Sequence, residues 1–438
     1  MGDYTQMVMN AGGPDVEARV VEAEEPNPDD KKLYDLLSAA GKELWEGCKK
    51  ATLLSTVARM LTIKADFNLS VRWYDAQCQL MHNIMPEDNC FVKNFYETKK
   101  LIEGLGFPAQ KIDCCQLGCM LFWKEDECLE CCKFCEKPRY KVKNGRRRPI
   151  RYMFYLPITP RLKCLFVSTR TASYMRWHAG HHHESGNVLC HPSDTNAWMH
   201  LDALFPSFGM EARNVRLGLC TDGFQPFGQS GRQYSCWSIV VTPYNLPPNM
   251  CLKDEYLFLS VVVPGGANPK QKIDVYLQPL IEELNMLWCT GVETFDASRG
   301  QNFIMKAALL WTIGDLPAYS MMSGWGTSGK TACPICQEQT VAFTLLNGCK
   351  QSWFDAHRKF LPQNHPYCFD QKKFKKGISD FNPPPRMKTG VEQLQEIDGY
   401  GFLKVTELDA TDVNQRLARV CGWRKRSFSW DLPYWKDL

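Results

Sequence analysis

The stretch from Arg216 to Asp315 constrains the fold most, because strand-like and helix-like runs follow one another there in an order that few sheets accommodate. The β-rich or buried runs are Arg216–Cys220, Tyr234–Thr242, Tyr256–Val263 and Phe303–Ile313, and the run with helical apolar spacing is Ile273–Trp288. Short connections favour antiparallel pairing of the first three strands, whereas the helix carries a crossover to a fourth strand that lies parallel to the first. The order predicts a mixed α/β sheet.

An aspartate follows each of the two strands that are predicted to be parallel. Asp222 lies in Thr-Asp-Gly-Phe and Asp315 lies in Gly-Asp-Leu-Pro. Because open α/β sheets bind ligands at the carboxyl ends of their strands, the two carboxylates can share a pair of divalent ions ~3.5 to 4 Å apart for phosphodiester chemistry. The sequence therefore predicts an Mg²⁺ (or Mn²⁺) site. For either aspartate alone, the alternative is a turn residue bonded to backbone N–H groups.

The chain has 438 residues and 21 cysteines, and its N-terminus guides their interpretation. The first 30 residues hold acids and prolines instead of a basic start and an apolar run, so no secretory signal is predicted. The longest apolar runs, such as Leu257–Val263, fall short of the ~20 residues of a membrane-spanning helix. We expect a soluble intracellular protein without a membrane partner, in which cysteines serve as thiols or zinc ligands.

One group of cysteines has the spacing of a structural zinc site. The group follows the pattern Cys-x3-Cys, twelve intervening residues, then Cys-x-x-Cys, and consists of Cys115, Cys119, Cys132 and Cys135. Four thiolates at such spacing suit tetrahedral Zn²⁺. Nearby Cys114, Cys128 and Cys131 leave the choice of ligands open on spacing alone, and unrelated buried or surface thiols are the alternative.

A second pair of cysteines supplies half of another zinc site. Cys333 and Cys336 lie in Ala-Cys-Pro-Ile-Cys, shortly after the second aspartate. His357 and His365 follow at a spacing that is compatible with a site of two cysteines and two histidines. The alternative is a helix and loop with surface histidines.

Basic clusters are the candidate DNA contacts, since the formal net charge of +4 neither requires nor excludes a nucleic-acid partner. Electrostatic contacts with phosphates supply most of the non-specific affinity for DNA. The candidate residues are Arg146, Arg147, Arg148, Arg358 and Lys359, together with the basic run at 372–376. A solvated charged surface is the alternative for each.

A histidine-rich run also suggests a metal site at first. It comprises His178, His181, His182, His183 and His191, with Glu184 among them. It lacks the His-Glu-x-x-His order of a helical zinc site, and consecutive residues cannot all face one ion on a helix. We interpret the run as a solvated loop.

Four segments of the chain resemble the plant CACTA (En/Spm) transposase family. They are NVRLGLCTDGFQPF (Asn214–Phe227), YNLPPNM (Tyr244–Met250), IDVYLQPLIEEL (Ile273–Leu284) and LLWTIGDLPAYSMMSGWGTSGKTACPIC (Leu309–Cys336). The resemblance covers most of residues 33–368, and strings of this length are far more specific than one short motif. It implies an RNase H-like core of the DDE type that cuts DNA at transposon ends and joins strands with Mg²⁺ in the nucleus.

The resemblance also carries residue roles. Asp222 and Asp315 match the first two metal-binding carboxylates of the family, and the four cysteines from Cys115 to Cys135 match its cysteines. In the family the third acid, a glutamate, follows a histidine-rich helix beyond the segment similar to Trp430–Asp437, whereas this chain ends at Leu438. We therefore expect a catalytically incomplete core.

Three glutamates can be set aside as the third acid. Glu282, Glu283 and Glu293 lie between the two aspartates in sequence and not after them, so their order does not fit the family's motif.

Composition, periodicity and the resemblance together predict six segments. They are a flexible acidic leader (1–31), a helical domain (32–110), a four-cysteine zinc module and basic linker (111–149), an RNase H-like catalytic core (150–330), a CxxC/His zinc-like insertion (331–368) and a basic, Pro-rich C-terminal segment (369–438).

Three functions remain open from the sequence. The first is a transposase that acts on transposon ends, with a homo-oligomer as an option, and that is active only if further sequence completes it. The second is a catalytically inactive, zinc-stabilised DNA-binding or protein-interaction module derived from a transposon. The third is a metal-dependent nuclease or hydrolase of another family that uses the same two aspartates.

Overall fold

The computed structural model describes residues 24–104, 108–181, 189–226, 234–266, 268–353, 358–373, 379–407 and 410–438. In these ranges the strands are β1 (Gln110–Asp113), β2 (Tyr140–Lys143), β3 (Arg146–Pro149), β4 (Tyr152–Tyr155), β5 (Val215–Phe224), β6 (Cys236–Pro243), β7 (Phe258–Val263), β8 (Val292–Asp296), β9 (Gln301–Met305), β10 (Ala307–Ile313), β11 (Ala342–Thr344) and β12 (Gln351–Trp353). The α-helices are α1 (Pro28–Ala40), α2 (Leu53–Asp66), α3 (Val71–Ile84), α4 (Phe95–Gly104), α5 (Thr159–Val167), α6 (Thr169–Ala172), α7 (Trp177–Gly180), α8 (Asn196–Leu204), α9 (Pro206–Gly209), α10 (Ile273–Cys289), α11 (Leu316–Ser323), α12 (Pro366–Phe369), α13 (Gly390–Tyr400) and α14 (Ala410–Leu417). None of these helices is long and apolar enough to cross a membrane.

A six-stranded mixed sheet, in the order β1-β4-β7-β6-β5-β10, forms the centre of the protein. β5, β6 and β7 are antiparallel neighbours, and β10 runs parallel to β5 with Leu309 opposite Leu217. Helix α10 follows β7 in the chain and precedes β10. The prediction of a mixed α/β sheet, with a crossover between two parallel strands, is confirmed.

The predicted fourth strand, Phe303–Ile313, is wrong in its extent, because the run is divided at Lys306 into β9 and β10. The Lys306 carbonyl accepts a hydrogen bond from Val215 N–H at 2.8 Å, and its N–H donates to Asn214 Oδ1 at 3.0 Å. β9 pairs with β8 as a separate two-stranded ribbon, while β10 joins the central sheet. Apolar spacing does not reveal this division, because residues on both sides of the break are buried.

Helix α10 packs against β7 and β10 and carries much of the core. Its Leu277, Leu280 and Leu284 recur at three- and four-residue steps and are at most 2% exposed. Leu33 and Leu37 of α1 belong to the same core. Complete burial of each such side chain stabilises the fold by about 1.5–3 kcal/mol.

The described end of the predicted leader, residues 24–31, packs on the β8–β9 ribbon. Glu24 N–H donates to the Gly300 carbonyl at 2.8 Å. Asp30 is 1% exposed, forms an ion pair with Lys163 at 2.7 Å and accepts a hydrogen bond from Phe295 N–H at 2.8 Å. Residues 1–23 lie outside the described residues.

Helices α2, α3 and α4 surround a second, smaller core, as the amphipathic spacing of this region predicts. α2 begins at a reciprocal cap in which the Thr52 side chain accepts from Ser55 N–H and the Ser55 side chain accepts from Thr52 N–H. The buried Tyr74 hydroxyl lies 3.1 Å from the Thr98 hydroxyl and joins α3 to α4. This core is therefore separate from that of the central sheet.

The last residues of the chain pack into the main core. The Tyr434 hydroxyl accepts a hydrogen bond from Leu309 N–H of β10 at 2.6 Å, and its ring lies 4.3 Å from that of Trp288. Lys425 and Asp274 form an ion pair at 2.6 Å, with both side chains 0% exposed. The segment that was predicted only as basic and Pro-rich thus contains a buried part.

Candidate functional site

Asp222 lies near the end of β5, on the exposed part of that strand. Its Oδ1 accepts a hydrogen bond from Gly223 N–H at 2.6 Å. The adjacent Thr221 is buried, and its hydroxyl donates to the Ser238 carbonyl of β6 at 2.9 Å. The alternation of side chains along a strand therefore fixes Thr221 inward and Asp222 outward.

Asp315 is separated from the end of β10 by Gly314 alone and is the N-cap of α11. Its Oδ1 accepts a hydrogen bond from Ala318 N–H at 2.8 Å, which satisfies one of the N–H groups that lack a partner at a helix start. The positive end of the helix dipole also favours a negative charge at this point. The exposed carboxylate is thus held in one orientation by the backbone.

The two aspartates lie at the same edge of the sheet. Ile313 is opposite Cys220 in the parallel pair, and each aspartate comes two residues later in its own strand direction. Adjacent strands lie about 4.8 Å apart. At Gly314, directly before Asp315, an added Cβ would lie 2.7 Å from Ala318 Cβ and 3.7 Å from the Thr221 carbonyl. A glycine therefore allows α11 to start close to β5.

Within the described parts of the chain, no third His, Cys, Asp or Glu forms a compact ligand group with Asp222 and Asp315. Glu282 pairs with Lys124, and Glu283 accepts hydrogen bonds from the N–H groups of Ile158 and Thr159 at 3.0 and 2.7 Å. These two glutamates thus hold neighbouring segments in place.

The four predicted zinc ligands come together as one cluster, so the described chain contains a group that could hold a metal ion. The ligand atoms of Cys115, Cys119, Cys132 and Cys135 all lie within 4.8 Å of one another. The Sγ atoms of Cys115 and Cys135 are 3.4 Å apart. Four converging sulfurs, two of them on buried residues, are the donor set that suits structural Zn²⁺.

Two tight turns bring these sulfurs together. The first turn includes Gly118 at φ +67° and the second includes Glu136 at φ +56°. Cys115 N–H donates to the Met120 carbonyl at 3.0 Å, and Glu136 N–H donates to the Cys132 carbonyl at 2.8 Å. The left-handed residues let each chain segment fold back around its own pair of cysteines.

Proximity also perturbs the thiols. A hydrogen bond from the Cys119 thiol lowers the pKa of Cys115 to about 4, whereas burial raises the pKa of Cys132 to about 11. The same hydrogen bond, followed by burial, raises the pKa of Cys119. One sulfur in the group is thus stabilised as a thiolate by its neighbours, and a cation is needed to hold several thiolates together.

The cluster rests on the start of α10. Lys272 Nζ donates to the Leu117 carbonyl at 3.1 Å and to Cys119 Sγ at 3.4 Å. A Cβ at Gly118 would lie 2.6 Å from the Tyr276 hydroxyl, so the turn fits closely against the helix. The position of Lys272 beside the cysteines could not be predicted from the sequence, because it depends on a long-range contact.

Cys333 and Cys336 are also close to each other, since Cys336 N–H donates to Cys333 Sγ at 3.2 Å. Burial raises the pKa of Cys336 to about 11. His365 is the N-cap of α12, and its Nδ1 accepts a hydrogen bond from Tyr367 N–H at 3.2 Å. His357 lies outside the described residues, and within them the pair gains no third ligand. The site of two cysteines and two histidines remains a prediction.

The predicted DNA contacts occupy different environments. Arg146, Arg147 and Arg148 are exposed on β3, which pairs with β2 as a hairpin where a linker was expected. Arg358 is 3% exposed and donates to the Tyr367 carbonyl at 2.7 Å, so it stabilises its own segment instead of presenting its charge at the surface. Lys359 Nζ donates to the Gln339 carbonyl at 2.8 Å.

The interpretation of the histidine run as a solvated loop is wrong for His178 and His191, which are 9% and 4% exposed. His191 Nε2 bonds to the Leu246 carbonyl at 3.0 Å, and His181 lies 3.2 Å from Asp194. Trp177 stacks on His181 at 4.5 Å. These residues pack into the protein, while His182, His183 and Glu184 lie outside the described residues.

These features define a mixed α/β protein that carries paired carboxylates at the ends of parallel strands and a separate four-cysteine cluster. Residues 186–399, just under half of the chain, match the family model described as "Transposase family tnp2". This match includes both aspartates and shows similarity to a transposase family. Neither a curated protein nor a solved structure gives a significant match to the chain.

Proposed function

We propose that the chain is the RNase H-like core of a CACTA-type transposase, which acts on transposon ends in the nucleus of a plant. Asp222 and Asp315 are the proposed ligands of the catalytic Mg²⁺ (or Mn²⁺), and the four-cysteine cluster is the proposed site of structural Zn²⁺. The observation that carries the proposal is the common edge that both aspartates occupy, inside the stretch that is similar to a transposase family.

The donor set fits hard divalent ions, which prefer carboxylate oxygens. Such ions, when bound as a pair, would activate a water or a 3′ hydroxyl and stabilise the leaving oxygen of a phosphodiester. Asp222 and Asp315 each use Oδ1 to accept a backbone N–H, and the described structure records no partner for Oδ2 of either residue. The backbone therefore orients each carboxylate and leaves one oxygen available to a metal ion.

Two protein ligands alone should hold these ions weakly. Within the described ranges no third ligand joins Asp222 and Asp315. We therefore propose that this chain by itself cuts DNA slowly or not at all, until a third acidic ligand is supplied.

A second candidate function is a catalytically inactive, zinc-stabilised module that binds DNA or protein and derives from a transposon. The contrast between the two sites favours it: the cysteine cluster brings together four ligands, and the aspartate pair brings together two in the described chain.

Strand cleavage and joining tests the first candidate. The assay uses labelled DNA that carries transposon ends, with Mg²⁺ or Mn²⁺, and compares the chain with Asp222→Asn and Asp315→Asn. The amide at 315 still caps α11, because Asn and Asp are equally good N-caps, so loss of activity would not come from a lost helix cap. Glu293→Gln, an exposed acid-to-amide change on β8, is the matched control.

The outcomes separate the candidates. Cleavage that both Asn variants abolish and Glu293→Gln retains supports the transposase and shows that the third ligand is supplied. DNA binding without cleavage is expected both of an incomplete transposase core and of the inactive module, and metal binding at the aspartates then separates the two. Cleavage that both Asn variants retain overturns the assignment of the aspartates.

Metal binding gives a readout that does not depend on turnover. Fe²⁺ bound in place of Mg²⁺ reduces added hydrogen peroxide to hydroxyl radicals, which cut the polypeptide near the ion, and added ascorbate regenerates Fe²⁺. We expect cuts near residues 222 and 315 in the native chain and in Glu293→Gln, and none there in either Asn variant.

A further inference from the structure

The hairpin of β2 and β3, residues 140–149, presents a basic surface beside the four-cysteine cluster, and we refer to it as the basic ribbon. The strand register places Lys141 opposite Arg148 and Lys143 opposite Arg146. Asn144 and Gly145 form the two-residue turn, with φ of +52° and +69°. Asn-Gly favours this type of turn, whose twist matches that of the strands. Residues 141–148 are all exposed.

The two faces of the basic ribbon differ in charge. Directly opposed residues share a face, so Lys141, Lys143, Arg146 and Arg148 form one face of four cations. Arg147 lies on the other face, where it pairs with Glu130 at 2.8 Å and stacks at 4.8 Å over Tyr140.

The four-cation face lacks neutralising partners in the described structure, where no ion pair is recorded for any of its members. Like charges that lie directly opposite each other destabilise a pair of strands. Here two such pairs lie side by side around the turn. An anionic ligand that spans both pairs would relieve this repulsion.

The basic ribbon is held firmly at its base. Arg139, directly before β2, donates through Nε to Asp113 at 2.9 Å, and its guanidinium lies 5.0 Å from the Phe122 ring. Ile150 N–H donates to the Arg139 carbonyl at 2.9 Å. Since Asp113 precedes the first cysteine of the cluster and Phe122 lies between its two cysteine pairs, the ribbon has a fixed orientation relative to that cluster.

We propose that the basic ribbon binds duplex DNA, with its four-cation face against the phosphates. A two-stranded ribbon fits the major groove of B-DNA, which is about 12 Å wide, because its strands lie only about 4.8 Å apart. The proposal rests on the proposed function for the identity of the polyanion. It assigns contact to Lys141, Lys143, Arg146 and Arg148, and it assigns Arg147 to the structure of the ribbon.

The test compares two adjacent arginines that differ in face. Arg148→Gln and Arg147→Gln remove the same charge from the full chain, and both residues are exposed. Binding to a fluorescein-labelled DNA duplex of mixed sequence is measured by anisotropy across a salt series, without divalent ions. The slope of log K against log salt concentration is negative, and each lost phosphate contact reduces its magnitude by about 0.9. We expect this decrease for Arg148→Gln and an unchanged slope for Arg147→Gln.

A variant with all four face residues changed to Gln extends the test. The magnitude of its salt slope should decrease by about 3 to 4, at about 0.9 for each contact. An equal change of the salt slope in Arg147→Gln and Arg148→Gln overturns the assignment of these residues to different faces. An unchanged slope in the four-residue variant, or tighter binding to a matched RNA duplex than to DNA, overturns the proposal. Unchanged thermal unfolding shows that each variant is folded.

The design separates this proposal from the proposed catalysis. Asp222→Asn and Asp315→Asn should retain the wild-type salt slope, because the aspartates lie elsewhere and no divalent ion is present. The expected ribbon slopes, with neither aspartate-dependent cleavage of DNA nor Fe²⁺-dependent cuts near residues 222 and 315, refute the catalytic function alone. If cleavage depends on the aspartates but the ribbon variants keep the salt slope of the native chain, the ribbon proposal alone is refuted.

Discussion

At the scale of the residue, His178 shows how strongly its surroundings change an ionisable group. Burial, followed by the nearby charge of Arg216, lowers the pKa of His178 from 6.5 to about 3. Its ring lies 5.1 Å from that of Trp198, and it lines a cavity of about 370 Å³ together with Arg216. A protonated imidazole would face a cation and lose its hydration, so the folded chain keeps His178 neutral.

This pKa predicts a loss of stability in mild acid. The unfolded chain takes up the proton near pH 6.5 and the folded chain only near pH 3, so the contribution of His178 is present above pH 6.5 and is lost as the pH falls between these values. We expect His178 to account for about 1–2 kcal/mol of lost unfolding free energy between pH 7.5 and 5. Urea unfolding at a series of pH values measures it.

Two variants identify the source of this pH dependence. His178→Gln should have a flatter profile than the native chain, whereas His200→Gln, at an exposed histidine, should keep the native profile. If the free energy of unfolding depends on pH in the same way in the native chain and in His178→Gln, His178 is not the source of the pH dependence. The sequence did not predict this burial, because a run of histidines has the composition of a solvated loop.

At the scale of the element, local sequence patterns predicted most strands and the long helix of the central sheet. The strands β5, β6 and β7 and the helix α10 follow from apolar periodicity and turn residues, and the parallel partner of β5 follows from their order. The break at Lys306 did not follow, because it depends on hydrogen bonds to Asn214 and Val215 from a distant part of the chain. The hairpin of the basic ribbon was missed, although Asn144-Gly145 is a recognisable turn signal. Lys141 and Lys143 were therefore missed with it.

The four-cysteine module predicts a sharp difference between two adjacent cysteines. Cys132 is buried within the cluster, and Cys131 is exposed outside it. We expect the native chain to bind zinc and Cys132→Ser to lose it, because one of the four sulfur ligands is removed. Cys131→Ser should retain it. Metal content per chain, measured by mass spectrometry, gives the comparison.

Proteolysis reports the structural consequence of zinc loss. We expect rapid cleavage within residues 111–149 for Cys132→Ser and for the native chain treated with a chelator, since a metal ion then no longer joins the two turns. Equal zinc content and equal protection in the two serine variants would refute the choice of ligands. A second zinc ion that Cys333→Ser removes would support the other predicted site.

At the scale of the whole molecule, distant parts of the chain share one core. The pair of Lys425 and Asp274 joins residues that are 151 positions apart, and Asp274 also accepts a hydrogen bond from Phe428 N–H at 3.2 Å. Tyr434 bonds to the backbone of β10, which is the strand that leads to Asp315. No local pattern could predict these contacts, because a lysine in a basic segment is expected at the surface. The C-terminal residues thus support the strand that leads to the candidate site.

The buried pair provides the strongest test of this arrangement. Lys425→Met leaves Asp274 buried without its cation and should lower the free energy of unfolding by about 3–5 kcal/mol. Lys425→Met combined with Asp274→Leu should recover much of that loss, except for the hydrogen bond from Phe428. Urea unfolding of the native chain, both single variants and the double variant completes the cycle. Additive losses would mean that the pair does not couple the C-terminal segment to α10. Strong coupling would show that this segment and α10 form one core.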